Sequence, residues 1–231
     1  MNNKYIIVFA IADKSCDKKT DIIFVVDRSG SIRYPDYNRM RAFIEDIGKK
    51  LRIGVKNNKG EVFGQGAIVS FSDRGQTQIT LRESNTPGKF ARVVKHMSGP
   101  LAGGRTKIHR GLAVAENEVA IKESGLRVDD PDVYKVLVVI TNGEQTRGSV
   151  GFVYLEDAVL PFFARGIDVL AVGVGLNTPK SNAQLQDMVQ VPGNVIKIDN
   201  YNDLSASVGM IVGKICPGTF LYIFNKCLNG Q

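Results

Sequence analysis

The sequence predicts an α/β fold in which a mainly parallel sheet, with one antiparallel edge strand, is covered by helices on both faces. Two observations lead to this fold class. Runs of consecutive apolar residues recur along the chain, and segments with helical spacing of apolar residues separate them. Strands that are apolar at every position are typical of parallel sheets, because helices cover both of their faces. The 231 residues are enough for one such domain with short extensions.

Each strand has its own signal in the sequence. Most are short apolar runs, which predict strands buried on both faces. Residues 76–81 instead alternate polar and apolar side chains directly after Asp73-Arg74-Gly75, which predicts an antiparallel edge hairpin. In chain order, the strands are expected at residues 22–26, 67–71, 76–81, 136–140, 166–175 and 195–198.

The helices follow from apolar residues repeated at intervals of three and four. Asp36 is expected to cap the first helix, and Pro161 to kink or interrupt the fourth. The third is expected to run without a break and to pack through Ile108, Leu112 and Val119. In chain order, the helices are expected at residues 34–51, 90–97, 106–124, 154–165, 181–190 and 203–215.

Composition and charge describe a globular chain with a basic surface. The 43% hydrophobic and 23% charged residues are ordinary for a globular domain. No stretch approaches the roughly 20 apolar residues of a membrane-spanning helix. The net charge of +7 indicates acidic partners, and nucleic acid, sulfated glycans and acidic protein surfaces all qualify.

Both ends of the chain are expected to extend beyond the domain. Residues 1–12 resemble a short secretory signal peptide, with Lys4 before an apolar run and Ala10-Ile11-Ala12 as a cleavage site. The alternatives are a disordered or strand-like extension and a truncated gene model. Residues 217–231 begin with Pro-Gly, which ends the last helix, and continue as an apolar C-terminal extension.

The most informative segment lies at the end of the first strand. Asp27, Ser29 and Ser31 offer three oxygen donors from one tight loop, at the carboxyl end of a strand where ligands bind in open α/β sheets. One carboxylate with neutral hydroxyls suits a hard divalent cation such as Mg²⁺. The alternative is a Ser/Gly turn in which the aspartate caps the next helix.

Three further segments follow this loop in a recognisable order. Gly103-Gly104-Arg105-Thr106 precedes the third helix, a buried strand ends in Thr141-Asn142-Gly143, and residues 166–175 form another buried strand. Together with Asp27-x-Ser29-x-Ser31, they resemble the von Willebrand factor A domain family over residues 20–216. The resemblance implies a doubly wound, Rossmann-like α/β fold. It also implies a metal-ion-dependent adhesion site (MIDAS), at which the metal captures an acidic side chain of a partner protein.

The family's metal-site positions correspond to five residues of this sequence. The resemblance implies that Ser29, Ser31 and Thr106 supply hydroxyl oxygens and that Asp27 binds directly or through water. For Thr106, the alternative role is the N-cap of the third helix. Asn142 stands where the family usually has aspartate, so the site loses one negative charge and its affinity for Mg²⁺, or for Mn²⁺ or Ca²⁺, should be weak.

The cysteines also fit the family. Several extracellular members join the two ends of the domain by a disulfide, and the resemblance implies this pairing for Cys16 and Cys216. The alternative is two free thiols in a cytosolic protein. Cys227 is then the odd cysteine, which suggests an intermolecular disulfide in a secreted chain, with a reactive or buried thiol as the alternative.

Basic residues are frequent in and beside the predicted metal loops. Such a cluster would steer acidic partners towards the metal, whereas the alternative is ordinary solvated charge. His96 and His109 are both expected at the surface. The basic residues assigned to this ligand face are Arg28, Arg33, Arg105, Lys107, Arg110 and Arg147.

The resemblance implies a secreted module of the extracellular matrix or cell surface. Its expected ligand is collagen or another matrix protein with an acidic side chain, and a sulfated glycan is a further candidate partner. Matrilins, collagen VI and mussel byssal thread matrix proteins carry such domains. The alternative function is a structural assembly domain with a degenerate metal site, which binds through its basic face without metal.

Enzymatic and nucleic-acid functions lack their usual motifs. Aspartyl-phosphate chemistry generally needs a second acidic residue two positions after the nucleophile, and here that position is Ser29. The sequence contains no phosphate-binding glycine loop, nucleophile elbow or metal-binding histidine pair. No nucleic-acid-binding motif accompanies the basic charge. We therefore expect neither an enzyme nor a nucleic-acid partner.

Overall fold

The computed structural model describes residue 16 and residues 18–148 and 150–216. Within these ranges, six strands form one sheet in the order β3-β2-β1-β4-β5-β6. All neighbours are parallel except β2 and β3, so the predicted mainly parallel sheet with one antiparallel edge strand is confirmed. The strands are β1 (Thr20–Asp27), β2 (Gly64–Phe71), β3 (Gly75–Ile79), β4 (Tyr134–Thr141), β5 (Asp168–Val174) and β6 (Val195–Ile198).

Helices cover both faces of the sheet, as predicted. The side chains of β1 alternate between two cores: Ile22 and Phe24 face α1, α2 and α6, whereas Ile23 and Val25 face α3, α4 and α5. Both cores are continuous, which explains why the central strands are apolar at nearly every position. The helices are α1 (Tyr34–Lys50), α2 (Lys89–His96), α3 (Ile108–Val114), α4 (Leu155–Ala164), α5 (Pro179–Gln186) and α6 (Leu204–Ile215).

The prediction of one unbroken third helix is wrong. α3 ends at Val114, and a π-helical turn follows over Ala115–Val119. The amide of Ala120 donates to the carbonyl of Ala115 at 2.7 Å, five residues back. This wider turn brings Val119 and Ala120 to the same side as Ala115, and all three are buried against the sheet. Tertiary packing therefore replaces regular α-helical geometry here.

Two further local predictions concern Asp36, for which the predicted capping role is wrong, and Pro161, which does not interrupt its helix. Asp36 lies inside the first turn of α1 and does not cap it; its carboxylate forms ion pairs with Arg33 at 2.8 Å and Arg39 at 3.1 Å. Pro161 lies inside α4, which continues to Ala164. The buried side chains of Val159 and Phe162 anchor this helix on both sides of the proline.

A buried ion pair joins three segments where β1 begins. The guanidinium of Arg127 lies 2.7 Å from a carboxylate oxygen of Asp21, whose side chain is fully buried. The same guanidinium donates to the carbonyls of Thr20, Val62 and Phe63 at 2.9 to 3.1 Å. Arg127 therefore satisfies several buried acceptors together.

We expect Arg127→Ala to lower the free energy of unfolding by about 3 kcal/mol, because it leaves the buried Asp21 carboxylate uncompensated. Urea denaturation measures this change. Lys122→Ala is the control, since Lys122 pairs with Asp129 at an exposed site and should have little effect. Equal effects of the two substitutions would contradict the assigned role of Arg127.

A disulfide joins the two ends of the described chain. Cys16 and Cys216 are paired, with their Cα atoms 5.9 Å apart and a sequence separation of 200. Cys16 precedes β1 and Cys216 follows α6, so the bond lies at the side of the sheet where β1 starts. The predicted signal peptide at residues 1–12, the extension at residues 217–231 and Cys227 lie outside the described residues. None of the helices in the described ranges is long and apolar enough to cross a membrane.

Candidate functional site

The candidate site lies at the edge of the sheet where β1 and β4 end. These strands are parallel neighbours, so Asp27 at the end of β1 and Thr141 at the end of β4 reach the same edge. The loop after β1 contacts the loop before α3, where the amide of Gly30 donates to the carbonyl of Gly104 at 2.9 Å. A Cβ atom at position 30 would lie 2.7 Å from the amide nitrogen of Gly103, so this close approach requires glycine.

Four of the predicted site residues form one hydrogen-bonded chain. The hydroxyl of Thr106 donates to the hydroxyl of Ser29 at 3.2 Å, and the hydroxyls of Ser29 and Ser31 are also 3.2 Å apart. The hydroxyl of Ser31 donates to the amide oxygen of Asn142 at 3.1 Å. Three separate loops thus bring these four side chains together. Thr106 is not the helix cap, since Lys107 holds that position.

Asp27, at the end of β1, is fully buried next to this hydrogen-bonded chain. One of its carboxylate oxygens accepts the amide of Ser29 at 2.8 Å, and the other accepts the hydroxyl of Thr141 at 2.7 Å. Burial raises the pKa of the Asp27 carboxyl despite these hydrogen bonds. The free energy of the ionised side chain is therefore unfavourable unless a positive charge compensates it.

Thr141 and Gly143 complete the site, although neither was predicted from the sequence as a site residue. Thr141 orients the Asp27 carboxylate, and its hydroxyl also accepts the amide of Gly143 at 3.1 Å. A Cβ atom at position 143 would lie 2.6 Å from the hydroxyl of Thr106. The sequence signal that could have identified Thr141 is its position, since it is the first polar residue after the apolar run of β4.

The donor set fits a hard divalent cation. It consists of three hydroxyl oxygens, one amide oxygen and the Asp27 carboxylate, and hard cations such as Mg²⁺ bind such oxygens while retaining water. Within the described ranges, no group of three or more histidine, cysteine or acidic side chains is placed to hold a metal. The charge for a cation at this site would therefore come from Asp27.

The six residues of the predicted basic ligand face differ in their exposure and in their partners. Arg33 and Arg147 are exposed, and Arg33 is the ion-pair partner of Asp36. Lys107 differs from the prediction because it is buried, with its ammonium group 3.5 Å from the carboxylate of Asp73.

The other three basic residues lie around the turn between β2 and β3 or beside the loop after β4. Arg28 is half-buried, and its guanidinium lies 3.5 Å from the side-chain oxygen of Gln76. Arg105 pairs with Asp73 at 2.9 Å. Arg110 donates to the carbonyl of Val150 at 2.7 Å.

His109 is buried, so its predicted surface position is wrong, whereas His96 is exposed as expected. The side-chain oxygen of Gln145 accepts both the backbone amide of His109 at 2.8 Å and its Nδ1–H at 3.0 Å. Burial lowers the pKa of His109, and the cations of Arg110 and Lys107 add to this effect. A neutral His109 therefore ties the loop after β4 to α3, which sequence spacing alone did not reveal.

Comparison with known proteins identifies relatives over most of the chain. It is 27% identical over 207 residues to the collagen alpha-5(VI) chain of Mus musculus and 26% identical over 215 residues to integrin alpha-M of Mus musculus. It is also 26% identical over 222 residues to matrilin-1 of Bos taurus. These matches cover 89%, 90% and 93% of this chain but 7%, 17% and 36% of the three relatives. The chain thus spans a minor part of their length.

Solved structures and a family model agree with the fold. Two structures of proximal thread matrix protein 1 from the mussel byssus match with a TM-score of 0.74, at 23% and 24% identity, over 88% of this chain and 49% of theirs. One of these has a zinc-occupied MIDAS motif. The model of the von Willebrand factor type A domain matches residues 21–209. Because this match spans most of the sequence and the observed sheet agrees with it, the chain belongs to the von Willebrand factor type A domain family.

Proposed function

We propose that this domain is a secreted adhesion module of the extracellular matrix, which binds an acidic side chain of a protein such as collagen through a divalent cation. One observation carries the proposal: the side-chain oxygens of Thr106, Ser29, Ser31 and Asn142 follow one another at 3.1 to 3.2 Å, beside the buried carboxylate of Asp27. A cation that these residues shared would lie at the edge of the sheet that ligands use in open α/β folds.

The residues of the site would have two roles, to supply negative charge and to hold the oxygen ligands in position. When bound, the cation supplies positive charge and a coordination position for the carboxylate of a partner. Ser29, Ser31 and Thr106 offer neutral oxygens, so they add no negative charge that would repel that carboxylate. Asp27 provides the compensating charge, and Thr141 holds the carboxylate in place.

Asn142 lowers the negative charge of the site relative to a second aspartate. Its amide oxygen accepts the hydroxyl of Ser31 at 3.1 Å, which leaves Asp27 as the charged member of the donor set. We expect weak affinity for the cation alone and stronger affinity when the partner carboxylate is present, because ligand charge determines divalent-ion affinity.

Secretion and a matrix partner are supported by independent observations. A structural disulfide such as Cys16–Cys216 persists in oxidising compartments outside the cytosol. Relatives of the chain include collagen VI chains and matrilins. Because these relatives are matrix proteins, we also propose that the domain is not an enzyme. We further propose that Cys227, the odd cysteine of a secreted chain, forms an intermolecular disulfide in the matrix.

Binding to immobilised collagens and to matrix extract tests the metal-dependent proposal. We expect binding in Mg²⁺ or Mn²⁺ and its loss in EDTA. Ca²⁺ and Zn²⁺ should also be tested, zinc because it occupies the MIDAS motif in a structure of the mussel byssus protein. Thr106→Val keeps the shape of the side chain but removes its hydroxyl, and should weaken binding at least about tenfold. Thr77→Val on β3 is the matched control. Equal binding by wild type in Mg²⁺ and in EDTA would refute the proposal.

A second function is favoured by Asn142, which stands where the family usually has a negatively charged aspartate. In this alternative, the metal site is degenerate, and the domain assembles matrix through its basic face without a cation. Binding that persists in EDTA and in Thr106→Val, but weakens as salt is added, would support it.

A further inference from the structure

A basic groove lies beside the candidate metal site, between α3 and the turn that links β2 to β3. We call it the α3 groove; it has a volume of about 660 Å³. A second cavity of about 410 Å³ lies on the other side of the same turn and adds Arg28. Asp73 and Glu118 are the acidic residues of the two linings. The cationic residues of the α3 groove are Arg74, Arg105, Lys107 and Arg110.

The carboxylates of the groove do not neutralise its cations. Asp73 is shared between Arg105 at 2.9 Å and Lys107 at 3.5 Å. In the described part of the chain, the side chains of Arg74 and Arg110 form no ion pair, and Arg74 is exposed. The groove therefore presents surplus positive charge to solvent.

Glu118 offsets only part of this surplus, because Glu118 and Asp73 supply two carboxylates against four cationic side chains in the lining. The carboxylate of Glu118 accepts the hydroxyl of Thr77 at 2.6 Å, and it forms no ion pair with another described residue. Arg110 uses one amino group to donate to the carbonyl of Val150, which fixes the guanidinium without neutralising it. A fixed guanidinium loses less freedom when it binds an anion.

The chemistry of the lining favours a sulfated polysaccharide over an acidic peptide. Guanidinium groups match the oxygens of sulfate by paired hydrogen bonds. Peptide recognition usually needs a buried aromatic or large apolar anchor, and among the described residues the lining of the α3 groove offers only Ala113 and Val114 as apolar side chains. We propose that the α3 groove binds a sulfated polysaccharide independently of divalent cations. This site is additional to the proposed metal-dependent one.

Heparin binding by the intact chain tests this inference. We expect Arg74→Gln/Arg110→Gln to weaken heparin binding about tenfold at physiological salt, a measurable change in dissociation constant by calorimetry or surface binding. Lys49→Gln/Lys122→Gln removes the same charge from exposed sites outside the groove and should leave affinity nearly unchanged. Circular dichroism and Tm confirm that both variants are folded.

The outcomes separate this proposal from the metal-dependent one. Heparin binding that survives EDTA and Thr106→Val supports the groove, even if collagen binding fails in every condition. Loss of heparin binding in EDTA would overturn it, as would equal weakening by both double variants. Desulfated heparin or polyglutamate binding as tightly as heparin would also overturn it, because sulfate recognition would then be absent.

Discussion

Replacing both Cys16 and Cys216 by alanine is expected to lower the free energy of unfolding by about 5 kcal/mol. The disulfide closes a loop across 200 residues, so its loss gives the unfolded chain a large increase in conformational freedom. Both cysteines are buried next to the core shared by α1 and α6, so alanine fits without adding a polar group. Urea denaturation measures the change, and the m-value should rise because the unfolded chain expands.

Cys227→Ala is the control for this experiment, since it removes the third cysteine while leaving the Cys16–Cys216 disulfide intact. Treatment of the wild type with reductant should reproduce the double variant. If the double variant were as stable as the control, the disulfide would contribute no net stability, and the loop-entropy argument would be wrong for this domain.

The second large effect is expected from Asp27→Asn, which should abolish the response of the protein to divalent cations. For the wild type at pH 7, an ion concentration about 100 times the dissociation constant adds about 2.7 kcal/mol of stability. This corresponds to a rise in Tm of about 5 °C or more for a chain of this size. The variant should show no rise, because it lacks the charge that the cation neutralises. Asp157→Asn in α4 is the matched control, since its side chain is exposed.

The pH dependence follows from the direction of the Asp27 shift. Burial raises the folded-state pKa above the usual value of 3.8, so the folded state binds a proton more tightly than the unfolded state. The resulting stability is present below that usual value and is lost as pH rises through the folded-state pKa. Metal-free Asp27→Asn should therefore be at least as stable as metal-free wild type at pH 7. A variant that is destabilised and still responds to Mg²⁺ would contradict this account.

The sheet was predictable because its signals are local. Apolar runs marked the buried strands, and alternation after Asp73-Arg74-Gly75 marked the antiparallel edge; residues 195–198 agree with β6 at both ends. The third helix was not predictable in the same way. Its residues keep helical spacing beyond Ala115, but burial of Val119 and Ala120 favours a π-helical turn that periodicity does not encode.

The candidate site was predictable only in part. The resemblance named Asp27, Ser29, Ser31, Thr106 and Asn142, and these lie together in the structure, while their metal binding stays a prediction. The residues that support them depend on contacts between distant segments. Thr141 and Gln145 act through hydrogen bonds across 114 and 36 positions, which no single-sequence pattern reports.

The position of the disulfide also determines how the domain would carry mechanical load. Cys16 and Cys216 lie where β1 begins, whereas Asp27 lies at the other end of this eight-residue strand, about 25 Å away. Tension applied to the chain outside the two cysteines would pass through their covalent bond. The sheet between them would carry almost none of it, so the proposed ligand-binding edge would keep its shape if the domain were held in a stretched fibre.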